Sequence, residues 1–123
     1  MSPLFATVLV SLVAAVHVAI AGVEMLFWNV PKVHGRLGYT GDEARKVAPI
    51  VANAGLYNSF LAAGLIWTLL TRTRGSDVEI FFLICVIVAG VFGALTLKPT
   101  TLVLQTIPAV LALAATWAGR PPA

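Results

Sequence analysis

The chain has 123 residues, of which 59% are hydrophobic and 11% charged, with a mean hydropathy of +0.96 and a formal net charge of +3. Soluble domains run at roughly 45–50% apolar and about 25% charged residues, and a small globule has much surface to cover for its volume. The composition excludes an ordinary soluble enzyme, a disordered chain and a nucleic-acid binder; what remains is an integral membrane protein, short enough to be a single domain over residues 1–123.

Four apolar runs, residues 3–28, 48–70, 80–97 and 101–117, carry the architecture. A spanning helix needs about 20 apolar residues, with a range of about 17–25, and in lipid a lone segment must satisfy its own backbone, so each run is expected to be a helix. The expected fold is an all-α membrane protein, four transmembrane helices in an antiparallel bundle, with short connections making sequential helices neighbours. In the first run, Ala19-Ile20-Ala21 before Gly22 imitates a cleavage site, but no Lys or Arg precedes the run and it continues to Trp28. It is therefore read as a retained first helix.

The polar loop 29–47 holds Lys32, His34, Arg36, Tyr39, Asp42, Glu43, Arg45 and Lys46. Thr40 and Glu43 have capping-box spacing, so the second helix is expected to begin near Thr40, with Pro49 inside it as a potential kink. The remaining connections are the polar stretch Thr71 to Val78 and the turn Lys98-Pro99-Thr100, and the tail Gly119 to Ala123 is expected to be disordered. Lys32, Arg36, Arg45, Lys46 and Lys98 fall in the first and third loops, against Arg72, Arg74 and Arg120 on the other side. The positive-inside rule then puts loop 29–47 in the cytoplasm, by a margin of two charges.

Ionisable residues inside spanning helices are costly and mark candidate sites. His17 lies near the middle of the first run, and Glu24 is seven residues on, two turns along the same face. Asn53 and Tyr57, four apart, share a face of the second helix, while Asn58 points elsewhere. Gln105 sits in the fourth run, three residues before Pro108. Each needs a hydrogen-bond partner in a low-dielectric setting. Turned inward, His17, Glu24, Asn53, Tyr57 and Gln105 form one polar pocket in the half of the bundle next to loop 29–47, lidded by His34, Arg36, Asp42 and Glu43. Against this stands a plainer reading, in which Asn53, Asn58 and Gln105 are interhelical glue. On that reading Tyr57 is a packed aromatic, Trp28, Trp67 and Trp117 form an interfacial belt, and His17 is a neutral imidazole bonded to a nearby carbonyl. Gly90 and Gly93 make one face of the third helix smooth for close packing, and Cys85 reads as a small buried apolar residue.

No metal motif is present, since a zinc site needs three or four ligands and the spacing of His17, His34 and Glu24 matches none. A haem needs one axial His, which His17 or His34 could supply, though nothing in the sequence demands it.

The stretch Ala14 to Gly38, AAVHVAIAGVEMLFWNVPKVHGRLG, and Ala48 to Gly64, APIVANAGLYNSFLAAG, resemble the family called domain of unknown function 1304. The later segments G-V-F-G-A-L-T and Q-T-I-P-A-V-L-A-L are similar to the same family, so the resemblance spans nearly the whole chain. It implies a small multi-pass protein of the bacterial inner (plasma) membrane with four helices, and no particular reaction. Its polar residues fall at His17, Glu24, Trp28, His34, Asn53, Tyr57, Asn58 and Gln105.

Three functions are open on these residues. The first is a pocket that binds or transforms a small lipophilic molecule, with His17, Glu24 and Tyr57 as catalytic groups and Trp28, His34, Asn53, Asn58 and Gln105 as binding groups. The second is small-molecule or proton transport, for which four short helices need to oligomerise and no inverted repeat is visible. The third is a structural or accessory membrane subunit. The expected partners are the lipid bilayer, a small lipophilic ligand and further copies of the chain.

Overall fold

The structure is a computed structural model, and residues 2–122 are described below. It is 83% helical, with no strand among the described residues. In chain order it comprises α1 (Pro3–Leu26), α2 (Pro31–His34), a 3-10 turn (Gly35–Leu37), α3 (Gly41–Leu70), α4 (Asp77–Thr96), a π-helical turn (Leu102–Thr106) and α5 (Ile107–Ala118). Helices α1, α3 and α4 are long and apolar enough to cross a membrane, while the apolar segment Leu102–Ala118 is shorter.

The helix starts follow from local chemistry. Ser2 caps α1, its Oγ accepting from the Phe5 N–H, with Pro3 at the first helical position where its missing N–H costs nothing. The Thr40–Glu43 capping box is formed in both directions: Thr40 N–H donates to Glu43 Oε2 at 2.8 Å, and Glu43 N–H to Thr40 Oγ1 at 3.3 Å. Helix α3 therefore begins at Gly41 and runs unbroken past Pro49. The last part of the expected loop 29–47 is thus helix, and its first part is folded into α2 and the 3-10 turn. Ser76 caps α4 from outside, its Oγ accepting from Glu79 N–H at 3.2 Å, which starts that helix at Asp77 rather than Ile80. Asp77 and Glu79 both fall in the first turn, where the helix dipole favours negative charge. Gly75, at φ +72°, makes the turn before that cap, a left-handed position that suits glycine.

The fourth segment is not a uniform α-helix. Pro108 cannot donate to the carbonyl four residues back and its ring crowds that carbonyl. The chain widens ahead of it, and Ile107 N–H reaches Leu102 O in a π-type bond.

The helices touch along matched ends. Glu24 on α1 meets Asn58 on α3, Gly64 on α3 faces Phe82 on α4, and Gly93 and Gly90 on α4 face Thr101 and Thr106. The core is built from Val10, Val13, Ala14, Leu65, Leu83, Val86, Ala109 and Ala112, contributed by α1, α3, α4 and α5. Small residues set the close approaches. A Cβ on Gly55 would lie 2.6 Å from Met25 Cγ and 3.0 Å from Glu24 Cβ. On the smooth face of α4, Thr101 Oγ1 donates to Gly90 O at 2.8 Å, so Gly90 and Gly93 are packing positions, as their spacing indicates. The outer faces carry exposed apolar side chains, including Leu4, Ile50, Phe81, Phe92 and Val103.

The tail is partly held. Arg120 donates to Asp77 Oδ1 at 2.6 Å and lies over the Trp117 ring, 5.1 Å from its centroid. Ala123, the last residue of the expected disordered tail, lies outside the described residues.

Candidate functional site

His17 is fully buried one helical turn beyond Val13 of the core. Its Nδ1 lies 2.9 Å from Val13 O. A carbonyl only accepts, so Nδ1 donates, and in the neutral ring Nε2 is left with a lone pair. Nε2 is buried and has no hydrogen-bond partner among the described residues. Gln105 is half-buried on the π-helical turn, which packs against α1. Two unusual features thus meet: a buried acceptor with nothing to accept from, and a stretch of backbone outside the α-helical register.

Glu24 forms a separate pair. Asn58 Nδ2 donates to Glu24 Oε1 at 2.7 Å across the α1–α3 contact, beside the close approach at Gly55. The rise of about 1.5 Å per residue puts Glu24 roughly 10 Å along α1 from His17, and Asn58 already engages the carboxylate. His17 and Glu24 thus stand two turns apart on α1, each with its own partner. Asn53 and Tyr57 are exposed, Tyr57 at 60%, and edge-on to Phe60 rather than turned into the bundle. Asn58, expected on another face, is the α3 amide that reaches α1. The difference is one of helix rotation: buried Gly55 marks the line of contact with α1, and Asn58, three residues on, follows it.

Trp28 and His34 organise the connection between α1 and α3. Trp28 is buried, and its Nε1 donates to Ala44 O at 2.9 Å. Its ring packs edge-on against His34 and Tyr39, with centroids 6.2 and 5.6 Å apart. His34 Nδ1 donates to Tyr39 O at 3.0 Å, while Tyr39 N–H returns to His34 O at 3.3 Å, closing the turn on itself. The expected lid residues are otherwise employed: Glu43 belongs to the capping box, and Asp42 pairs with Arg45 on the surface.

A second polar centre, at the other end of the helices, escaped the sequence reading. Glu79 is fully buried. Its Oε2 accepts from Arg74 Nε at 2.9 Å and Thr68 Oγ1 at 3.0 Å, and its Oε1 from Thr116 Oγ1 at 3.1 Å. Arg74 also reaches Thr7 through Nη1. The one available signal was an acidic residue immediately before an apolar run, with an Arg five residues upstream in a short loop. Two surface depressions lie elsewhere, one beside Arg74 and Thr116 and one against Val88 and Phe92 of α4; neither includes His17, Glu24 or Gln105. No group of three His, Cys, Asp or Glu side chains is arranged to hold a metal among the described residues.

The site residues thus fall into four groups: His17 with Gln105, Glu24 with Asn58, Trp28 with His34, and the exposed Asn53 and Tyr57. No curated protein and no solved structure matches the chain. The profile of the family described as protein of unknown function DUF1304 matches residues 11–117, a stretch that contains all of these positions, and the chain belongs to that family.

Proposed function

We propose that this is an integral protein of the inner membrane. Its α1, α3, α4 and the segment Leu102–Ala118 form one antiparallel transmembrane bundle, which binds or transforms a small lipophilic molecule at His17. The observation that carries the reading is the unpartnered Nε2 of a fully buried His17. A buried acceptor left unsatisfied costs about 1–3 kcal/mol, and Val13 holds the ring so that this nitrogen, not the other, keeps its lone pair. Such a nitrogen is placed to accept a hydrogen bond, or a proton, from an O–H or N–H group of a ligand. Gln105 would orient that group with its amide. The ligand's route runs past the π-helical turn, whose backbone register is the least regular of the fold. Glu24 and Asn58 support the site from the next level of α1 and α3.

The test is to purify the full chain from membranes in mild detergent and to identify bound small molecules by mass spectrometry, with an absorption spectrum of the same sample. A lipophilic species retained by the wild type and lost from His17→Leu, with folding intact, is expected. A Soret band that follows His17 would identify the species as haem. If wild type and His17→Leu carry the same content, the site is not at His17.

The accessory-subunit reading is favoured by a different observation, the Arg74–Glu79 centre, whose buried carboxylate takes its partners from the other helical segments and so ties them together. On that reading the polar residues only lock the bundle, and His17→Leu leaves every phenotype of a deletion strain complemented.

A further inference from the structure

The geometry points to a second copy of this chain docking on the outer face of α3, with Asn53 hydrogen-bonded to Asn53 of the other copy across a two-fold axis. The inference rests on the membrane reading above and is independent of what binds at His17.

Side chains at Ile50, Asn53, Tyr57 and Phe60 are all exposed, and they recur along α3 at steps of three, four and three residues. That is the spacing of a helix–helix seam. It lies away from the face of α3 that meets α1 at Gly55, and it ends one turn before Gly64, where the same line of the helix is covered by Phe82 of α4. An apolar stripe alone would be content against lipid. This one is not apolar throughout. Counting from Ala48, where the apolar run begins, Asn53 lies about 8 Å and Tyr57 about 14 Å into a hydrocarbon layer about 30 Å thick.

The side-chain hydrogen bonds in this stretch of α3 are those of Asn58 and Ser59, and Asn53 and Tyr57 make none to the described residues. The Asn side chain is too short to reach the headgroups from that depth, and lipid tails offer no partner for an amide. A second copy does. The amide carries both donors and an acceptor, so it is complementary to itself, which is what a two-fold interface requires. A single Asn in an otherwise apolar seam also fixes helix register and favours a defined assembly. Tyr57, one turn along, brings a hydroxyl to the same seam and can bond the partner's amide.

The experiment uses the full chain, labelled and reconstituted in phosphatidylethanolamine–phosphatidylglycerol vesicles, with energy transfer followed as the protein is diluted in lipid. Wild type is expected to dimerise. Asn53→Leu is expected to raise the dissociation constant about tenfold, in keeping with the modest strength of interhelical polar contacts, and Asn53→Gln to stay nearer wild type. In a Cys85→Ser background, Ile50→Cys is expected to give an oxidised dimer, and Phe92→Cys on the outer face of α4 is not. A monomer at every dilution, an Asn53→Leu protein that associates like wild type, or cross-linking at Phe92→Cys in preference to Ile50→Cys overturns the proposal. The same membranes are washed with alkaline carbonate. Release of the chain overturns the membrane reading and this proposal together, whereas a retained but monomeric chain overturns this proposal alone.

Discussion

Arg74 donates through Nε to the Glu79 carboxylate at 2.9 Å, and around that ion pair α1, α3, α4 and α5 are joined. Glu79 belongs to α4; Thr68 brings in α3, Thr116 brings in α5, and Thr7, bonded to the other end of the guanidinium, brings in α1. The carboxylate is wholly buried and the Arg74 side chain is 24% exposed. The pair therefore lies at the connection where α3 turns into α4, with its positive partner towards the surface.

Removing one partner of a buried pair strands the other. Glu79→Ala is expected to lower the stability of the purified protein by about 3 kcal/mol, the low end of the roughly 3–5 kcal/mol typical of such losses, because Arg74 retains access to water. Replacing both partners, Arg74→Met with Glu79→Leu, is expected to cost less than Glu79→Leu alone, since no uncompensated charge then remains. Thermal unfolding in detergent measures all three. A double variant less stable than Glu79→Leu would show that the pair contributes net stability beyond mutual compensation.

The approach of α3 to α4 depends on Gly64, because a Cβ there would run into the Phe82 ring. Gly64→Ala is expected to destabilise by roughly 1–3 kcal/mol, the usual range for overpacking a close contact. Trimming the ring with Phe82→Leu should recover part of the loss, so that the double variant is more stable than the sum of the single effects allows. Strict additivity in unfolding measurements would mean that the helices move apart at no cost and that the glycine is incidental.

The Trp28 indole tests how the α1–α3 connection is held. Trp28→Phe keeps the packing against His34 and Tyr39 but leaves Ala44 O without its side-chain donor. A loss of about 1 kcal/mol is expected, the usual net worth of one hydrogen bond. Faster tryptic cleavage at Lys32 and Arg36 should accompany it, as the segment opens more often. Unchanged cleavage would place the stability of the connection in its own turn, closed by His34 and Tyr39.

Much of this architecture was legible because it rests on strong local signals. The apolar runs locate the helices, and the Thr40–Glu43 spacing reads directly as the start of α3, since a capping box is a contact between neighbours in sequence. Gly90 and Gly93 likewise announce a smooth face. What escaped depends on helix rotation and on distant partners. An error of one or two residues in the orientation of α3 exchanges Asn53 and Tyr57 for Asn58 as the residues facing α1, and no local pattern sets that angle. The Glu79 centre draws on residues from Thr7 to Thr116, and its acidic member sits just outside the apolar run, where a charge looks like ordinary loop chemistry. The π-helical turn could be anticipated only as some disturbance near Pro108.

His17 distinguishes a site from a brace most directly. If the imidazole exists to hold the fold, removing it must cost stability. Among the described residues its well-formed hydrogen bond goes to Val13 O, in the turn just before it on the same helix, so it ties α1 to itself. Its Nε2, buried without a partner, is a burden of about 1–3 kcal/mol that an apolar side chain would not carry. Leu is shaped differently from a ring, and misfit in the core would offset part of that gain. His17→Leu is therefore expected to be within about 1 kcal/mol of wild type, or more stable, by thermal unfolding in the absence of ligand. Wild type alone is expected to gain stability when its lipophilic ligand is restored, because a ligand that binds only the folded state stabilises it by mass action. A His17→Leu protein that unfolds far below wild type in ligand-free detergent would assign the ring to the fold instead, through packing against its neighbours rather than through Nε2.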